Sequence, residues 1–282
     1  MLYAALARGG CVGVSVRERY LMDPEQVREF SGVVVDCRFQ LQQPGAGREA
    51  YLRGHLPGAR FVDLERDLSA PPDTHGGRHP LPTPAAFARR LAAVGVDRDT
   101  PTLLYDDSRG VFAARLWWML RALAYATPRI LDGGYAAWCA LGDAPESGDA
   151  EPSAVATPAV ASRWERCCDR EQLRELQAHG AVLVDAREAR RYRGEYEPID
   201  PVAGHIPGAH NRPWQDFTTD DGRFHAAAGQ RDRWGDLLDA DTLVLYCGSG
   251  VSACVGLLSL ALAGREGDWL YAGSWSDWCS YL

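Results

Sequence analysis

Thr242-Leu243-Val244-Leu245-Tyr246-Cys247-Gly248-Ser249-Gly250-Val251-Ser252 passes from a short run of β-branched, aliphatic and aromatic residues, through two glycines, into the Leu- and Ala-rich run Ala253 to Ala263. The first run predicts a buried strand and the longer second run a helix. Cys247 therefore falls at a strand-to-helix turn. There a thiol faces successive backbone N–H groups and a helix N-terminus, and both favour the reactive thiolate. Gly248 and Gly250 let the backbone curl around sulfur or an anion without Cβ clashes. A lone cysteine commonly reads as a small buried hydrophobe ending a core strand. The rest of the chain decides between the two readings.

The pattern occurs twice, at a spacing of roughly 140 to 150 residues, which suits one compact domain. Val33-Val34-Val35-Asp36-Cys37-Arg38 is answered by Val182-Leu183-Val184-Asp185-Ala186-Arg187, and Gly54-His55-Leu56-Pro57-Gly58-Ala59 by Gly204-His205-Ile206-Pro207-Gly208-Ala209. Thr102-Leu103-Leu104-Tyr105-Asp106 is answered by the strand ending in Cys247, and Gly133-Gly134-Tyr135-Ala136-Ala137-Trp138 by Gly273-Ser274-Trp275-Ser276-Asp277-Trp278. The chain is thus read as a duplicated α/β domain. Residues 1–22 form an extension, with Met22 an alternative start. Residues 23–142 form a non-catalytic copy, 143–163 a linker rich in Pro, Ala, Ser and acids, and 164–282 the catalytic copy. Asp106 stands where Cys247 stands, so the first copy serves as structure or as one wall of a shared site. His55 and His205 recur in both copies, including the one without the cysteine, which points to a turn-shaping role. Asp185 ends its strand-like run and is a candidate for orienting the active loop from behind.

A chain of 282 residues, 46% hydrophobic and 24% charged, supports two soluble domains with their own cores. Net charge is 30 minus 38, or −8, with no basic block, so nucleic acid and acidic membrane surfaces are poor partners. No apolar run reaches the roughly 18 residues that a bilayer span needs. Arg8-Gly9-Gly10 interrupts the mildly apolar N-terminus, and no basic stretch precedes it, so a secretory leader is not expected. The eight cysteines show neither zinc-ligand spacing nor a disulfide framework, which fits a reducing cytoplasm.

The paired Gly-His-apolar-Pro-Gly-Ala motifs, the loop Cys247 to Ser252, the closing Gly273 to Trp278 and the Asp106 replacement together resemble the rhodanese superfamily, in particular its two-domain mercaptopyruvate-type sulfurtransferases. The resemblance implies an α/β fold of tandem rhodanese-like domains, each a parallel sheet flanked by helices, with the site between them. It implies that sulfur moves from a small-molecule donor to Cys247 as a persulfide, without metal or cofactor. A thiol or cyanide then accepts it, a thioredoxin-like protein being one candidate. Inward N–H groups of Gly248, Gly250, Val251 and Ser252 suit an anionic terminal sulfur. A cysteine phosphatase would carry an arginine six positions after the nucleophile, where this chain has Ala253. The loop holds no cation, which favours a donor with a single carboxylate, 3-mercaptopyruvate, over dianionic thiosulfate. Thiosulfate:cyanide sulfurtransfer is the second reading, and a non-catalytic persulfide carrier the third.

Other roles come from the same resemblance. Arg191 matches a substrate-binding arginine. The second arginine of many mercaptopyruvate enzymes is replaced here by Glu197-Pro198-Ile199-Asp200-Pro201, leaving Arg78, Arg193 and Arg212 as substitutes. Ser249, with His79 from the other domain and an acid, would form a proton relay. The register points to Glu65 as that acid, with Asp63 its competitor. Cys254 reads as a buried hydrophobe rather than a resolving thiol.

Overall fold

The computed structural model describes residues 15–43, 45–150 and 153–282. It contains two five-stranded parallel sheets of identical order. The first comprises β1 (Leu21–Met22), β2 (Val33–Asp36), β3 (Arg60–Phe61), β4 (Thr102–Tyr105) and β5 (Arg129–Leu131), arranged β1-β5-β4-β2-β3. The second comprises β6 (Cys167–Cys168), β7 (Val182–Asp185), β8 (His210–Asn211), β9 (Leu243–Tyr246) and β10 (Trp269–Tyr271), arranged β6-β10-β9-β7-β8. Equivalent residues share equivalent register: Asp36 lies opposite Tyr105, and Asp185 opposite Tyr246. Parallel strands need long crossovers, and helices placed there cover both sheet faces, which is why the central β4 and β9 are apolar throughout.

The domains meet through the helices Val111–Ala122 and Ala253–Leu262, which follow the two equivalent central strands. Every residue of the second helix is buried, as are all but Phe112 and Arg121 of the first. A helix apolar all round belongs inside a larger core, and here that core is the interface. The loop between β9 and its helix therefore opens onto the first domain.

Two expected boundaries move. Leu21 and Met22 are not extension but the edge strand β1, paired with Ile130 and Leu131. Before them, Ser15 and Glu18 cap the helix Val16–Tyr20 with a reciprocal capping box. Tyr20 is fully buried, stands edge-on to Trp117, and its hydroxyl donates to Glu266 of the second domain. A start at Met22 would remove this clasp; a two-residue strand has no periodicity by which to be read. Residues 1–14 of the expected extension, Cys11 among them, lie outside the described residues. At the other boundary, residues 143–150 and 153–163 include contacts to the first domain, with Glu146 paired to His55 and the Val155 amide donating to Ala92.

Candidate active site

Cys247 follows β9 directly and is 2% exposed. Its own amide donates to Ser274 Oγ, its carbonyl accepts from the Trp275 amide, and the Gly248 carbonyl accepts from Ser276. Gly273 to Trp278 thus grips the loop from outside. Gly250 adopts φ 75°, and a Cβ there would lie 2.3 Å from the Ala272 carbonyl oxygen, so only glycine fits. Among the described residues, no protein acceptor takes the amide hydrogens of Gly248, Ser249, Gly250, Val251 or Ser252. The loop is an unfilled cradle of N–H groups beside a buried sulfur. The Val251 side chain packs into the core, so this residue offers the site its backbone alone.

The first domain completes the loop. His79 Nδ1 lies 2.8 Å from Ser249 Oγ. The ring is buried, and burial, reinforced by the charges of Arg115 and Arg78, pushes its pKa down to about 4. Arg115, in the interface helix, is fully buried; it donates to the carbonyls of Gly250 (2.9 Å) and His79 (3.0 Å) and more weakly to Leu68. Among the described residues it has no carboxylate partner, so a buried cation joins the Cys247 loop to the histidine segment. Sequence reading passed over it.

The acid of the expected relay is absent from this geometry. Glu65 is exposed, and its backbone amide donates to Asp63. Asp63 in turn accepts from the Glu65 and Arg66 amides, closing its own turn. Neither bonds to His79. Glu65 thus lies apart from His79, whose ring meets Ser249 alone of the expected relay residues.

Two guanidinium groups, one from each domain, flank Gly248. A Cβ at Gly248 would lie 3.0 Å from Arg78 Nη2 and 3.6 Å from Arg191 Nη1. Arg191 spends Nε and Nη2 on Glu197 and Asp200, leaving Nη1 without an acceptor among the described residues. Arg78 gives Nη1 to Asp200, and its Nη2 likewise has no acceptor among the described residues. Of the three substitutes for the missing arginine, Arg78 is the one at the loop. Arg193 pairs with Glu195 at the surface, and Arg212 donates to the carbonyls of Arg233 and Asn211.

Asp185 does not touch the loop. It binds Arg187 through two oxygens, and Arg187 binds Glu197, which holds Arg191; its influence is indirect. Asp36 and Arg38 form the same pair in the first domain. His55 stacks on Tyr51 and His205 on Tyr192, each with Nδ1 2.8 Å from the tyrosine carbonyl, consistent with the turn-shaping role. The first-domain loop shows what such a turn can hold. Asp106, in the place of Cys247, accepts from the amides of Ser108, Gly110, Phe112 and Ala113 at 2.8 to 2.9 Å.

The rhodanese-like domain family matches residues 20–141 and 169–281. This chain belongs to that family. A Pseudomonas aeruginosa relative with a provisional 3-mercaptopyruvate sulfurtransferase name is 47% identical over 254 residues, 87% of this chain and 88% of that protein. A Mycobacterium tuberculosis relative with a provisional thiosulfate sulfurtransferase name is 41% identical over 251 residues, covering 88% and 87%. The solved 3-mercaptopyruvate sulfurtransferase from Leishmania major superposes with a TM-score of 0.83 at 30% identity, over 95% of this chain and 76% of that one. Both rhodanese-like copies are thus accounted for, with Cys247 in the second. No helix among the described residues is long and apolar enough to cross a membrane.

Proposed function

We propose that this chain is a sulfurtransferase that takes sulfur from 3-mercaptopyruvate onto Cys247 and passes it to a thiol or to cyanide. The observation that carries the reading is the pair of unpartnered guanidinium nitrogens, Arg78 Nη2 and Arg191 Nη1, beside Gly248, one residue from the sulfur. Two such donors suit one carboxylate, with its thiol end directed into the loop. The Cys247 thiolate attacks the donor sulfur, and the C–S electron pair leaves onto carbon as the enolate of pyruvate. A neutral His79 can accept the proton of the donor thiol through Ser249 and return it to that carbon. The terminal sulfur stays on Cys247 within the N–H cradle, as the Asp106 carboxylate is held in the sister loop. The acceptor then attacks it and restores the Cys247 thiolate, with a thioredoxin-like protein as a candidate thiol partner. Seven described cysteines, all free, suit a reducing compartment such as the cytoplasm.

Thiosulfate is the alternative donor, favoured by the name of the Mycobacterium relative. Steady-state comparison of the two donors, with cyanide as acceptor, separates the readings. Mass spectrometry after donor treatment should add one sulfur to the Cys247 peptide, and Cys247→Ser should abolish transfer. Sulfur recovered on Cys254 instead would overturn the assignment.

A further inference from the structure

We infer that Asp200 sets the donor preference of the Cys247 site, by cancelling positive charge that Arg78 and Arg191 would otherwise present to the donor. The inference rests on the reading of that site as the place where an anionic sulfur donor binds. Asp200 receives Arg78 from the first domain on one oxygen and Arg191 from the second on the other. Its side chain is 2% exposed, whereas those of Arg78 and Arg191 are 29% and 14% exposed, so the carboxylate is out of water while the guanidinium ends stay open to donor and salt. Glu197 is comparably buried and binds Arg191 through both of its oxygens. Arg187 also reaches Glu197, but it is balanced separately by Asp185.

The four groups at the donor end, Arg78, Arg191, Glu197 and Asp200, therefore sum to no formal charge. Two directed N–H donors remain, yet this cluster adds no net positive charge to that of the buried Arg115 at Gly250. Such a pocket binds a carboxylate through hydrogen bonds while giving a dianion little additional Coulomb attraction. Asp200 also fixes geometry: by taking Arg78 Nη1 it leaves Nη2 facing Gly248. It acts on the donor only through the arginines and is a positioning residue.

Asp200→Asn separates the two effects, since the amide keeps the shape and one accepting oxygen but loses the charge. One uncompensated positive charge should then favour thiosulfate, the dianion, over 3-mercaptopyruvate. The ratio of kcat/KM for thiosulfate to that for mercaptopyruvate should rise on the order of tenfold at low salt, mostly through KM. The gain should shrink as salt is added. Asp200→Glu, which restores the charge, should return the ratio toward wild type. Arg78→Gln, which leaves the cluster with an excess negative charge, should move it the opposite way and provides a second test if Asp200→Asn does not fold. Wild-type kinetics are read first: no turnover with either donor overturns the reading of the site. Turnover in the wild type with an unmoved ratio in folded Asp200→Asn, or in Arg78→Gln if that variant must stand in, overturns the role of Asp200 alone.

Discussion

His79 Nδ1 lies 2.8 Å from Ser249 Oγ, so a side chain of the first domain is hydrogen-bonded to the Cys247 loop of the second. With its pKa pushed down to about 4, the ring is neutral at pH 7 and can accept the Ser249 proton without first losing one of its own. His79→Ala should lower kcat about a hundredfold with a smaller effect on KM. Ser249→Ala should do the same, and the double variant should be no slower than the slower single. Steady-state kinetics on all three decide it; losses that multiply would mean the two groups act independently.

The same burial makes the fold sensitive to acid. An unfolded histidine titrates near 6.5, whereas His79 in the native chain titrates at about 4. Between these values the unfolded chain binds more protons, so stability rises with pH. The contribution is fully present above about pH 6.5 and is lost as pH falls through 4, on the order of 3 kcal/mol in all. His79→Gln should flatten this limb in urea unfolding between pH 4 and 7. Parallel curves for variant and wild type would assign the acid sensitivity elsewhere.

The duplication and the strand-to-helix turn at Cys247 were legible because both are local patterns. Asp106 and Cys247 end equivalent strands, and the flanking motifs keep their order. The charge of the site was not legible in that way. A loop without cations reads as neutral, yet Arg78 and Arg191 reach Gly248 from segments far apart in sequence, and Arg115 reaches Gly250 from inside an apolar helix. Arg115 did leave one trace: a lone cation among Ala113, Ala114, Leu116 and Trp117, in a helix with no polar face to hold it. The stretch from Glu197 to Asp200 reads as a lost arginine, and only the fold brings its acids onto two arginines from different domains. Glu65 failed because neighbouring positions on a turn face different directions, a matter that register within a motif does not specify.

Arg115 ties the domains together through backbone carbonyls rather than through a carboxylate. Removing it as Arg115→Met would leave the His79 carbonyl without its donor and the Gly250 carbonyl with only the weak Cys254 thiol, at about 1 to 3 kcal/mol for a fully orphaned group. The variant should lose stability of that order in urea unfolding and should also lose turnover, because both ends of the contact lie in the site. Arg115→Lys keeps the charge but has fewer directions for donation, and should fall between. A Met variant as stable as wild type would show that these carbonyls find other donors.

Gly248 and Gly250 are two residues apart and should respond in opposite ways to the same added methyl. At Gly250 the φ of 75° and a Cβ position 2.3 Å from the Ala272 carbonyl oxygen oppose any side chain, and backbone cannot swing aside. Gly250→Ala should therefore cost about 3 kcal/mol of stability. At Gly248 the nearest atoms are the guanidinium ends of Arg78, at 3.0 Å, and Arg191, at 3.5 Å, which can move. Gly248→Ala should fold nearly as well as wild type, within about 1 kcal/mol, while displacing the donor forks and raising KM for 3-mercaptopyruvate more than it lowers kcat. An unchanged KM in Gly248→Ala would mean that Arg78 and Arg191 do not hold the donor. The same crowding explains why an arginine at 248 would not simply add charge to the loop: the space it needs already contains two guanidinium groups, and it would have to displace them.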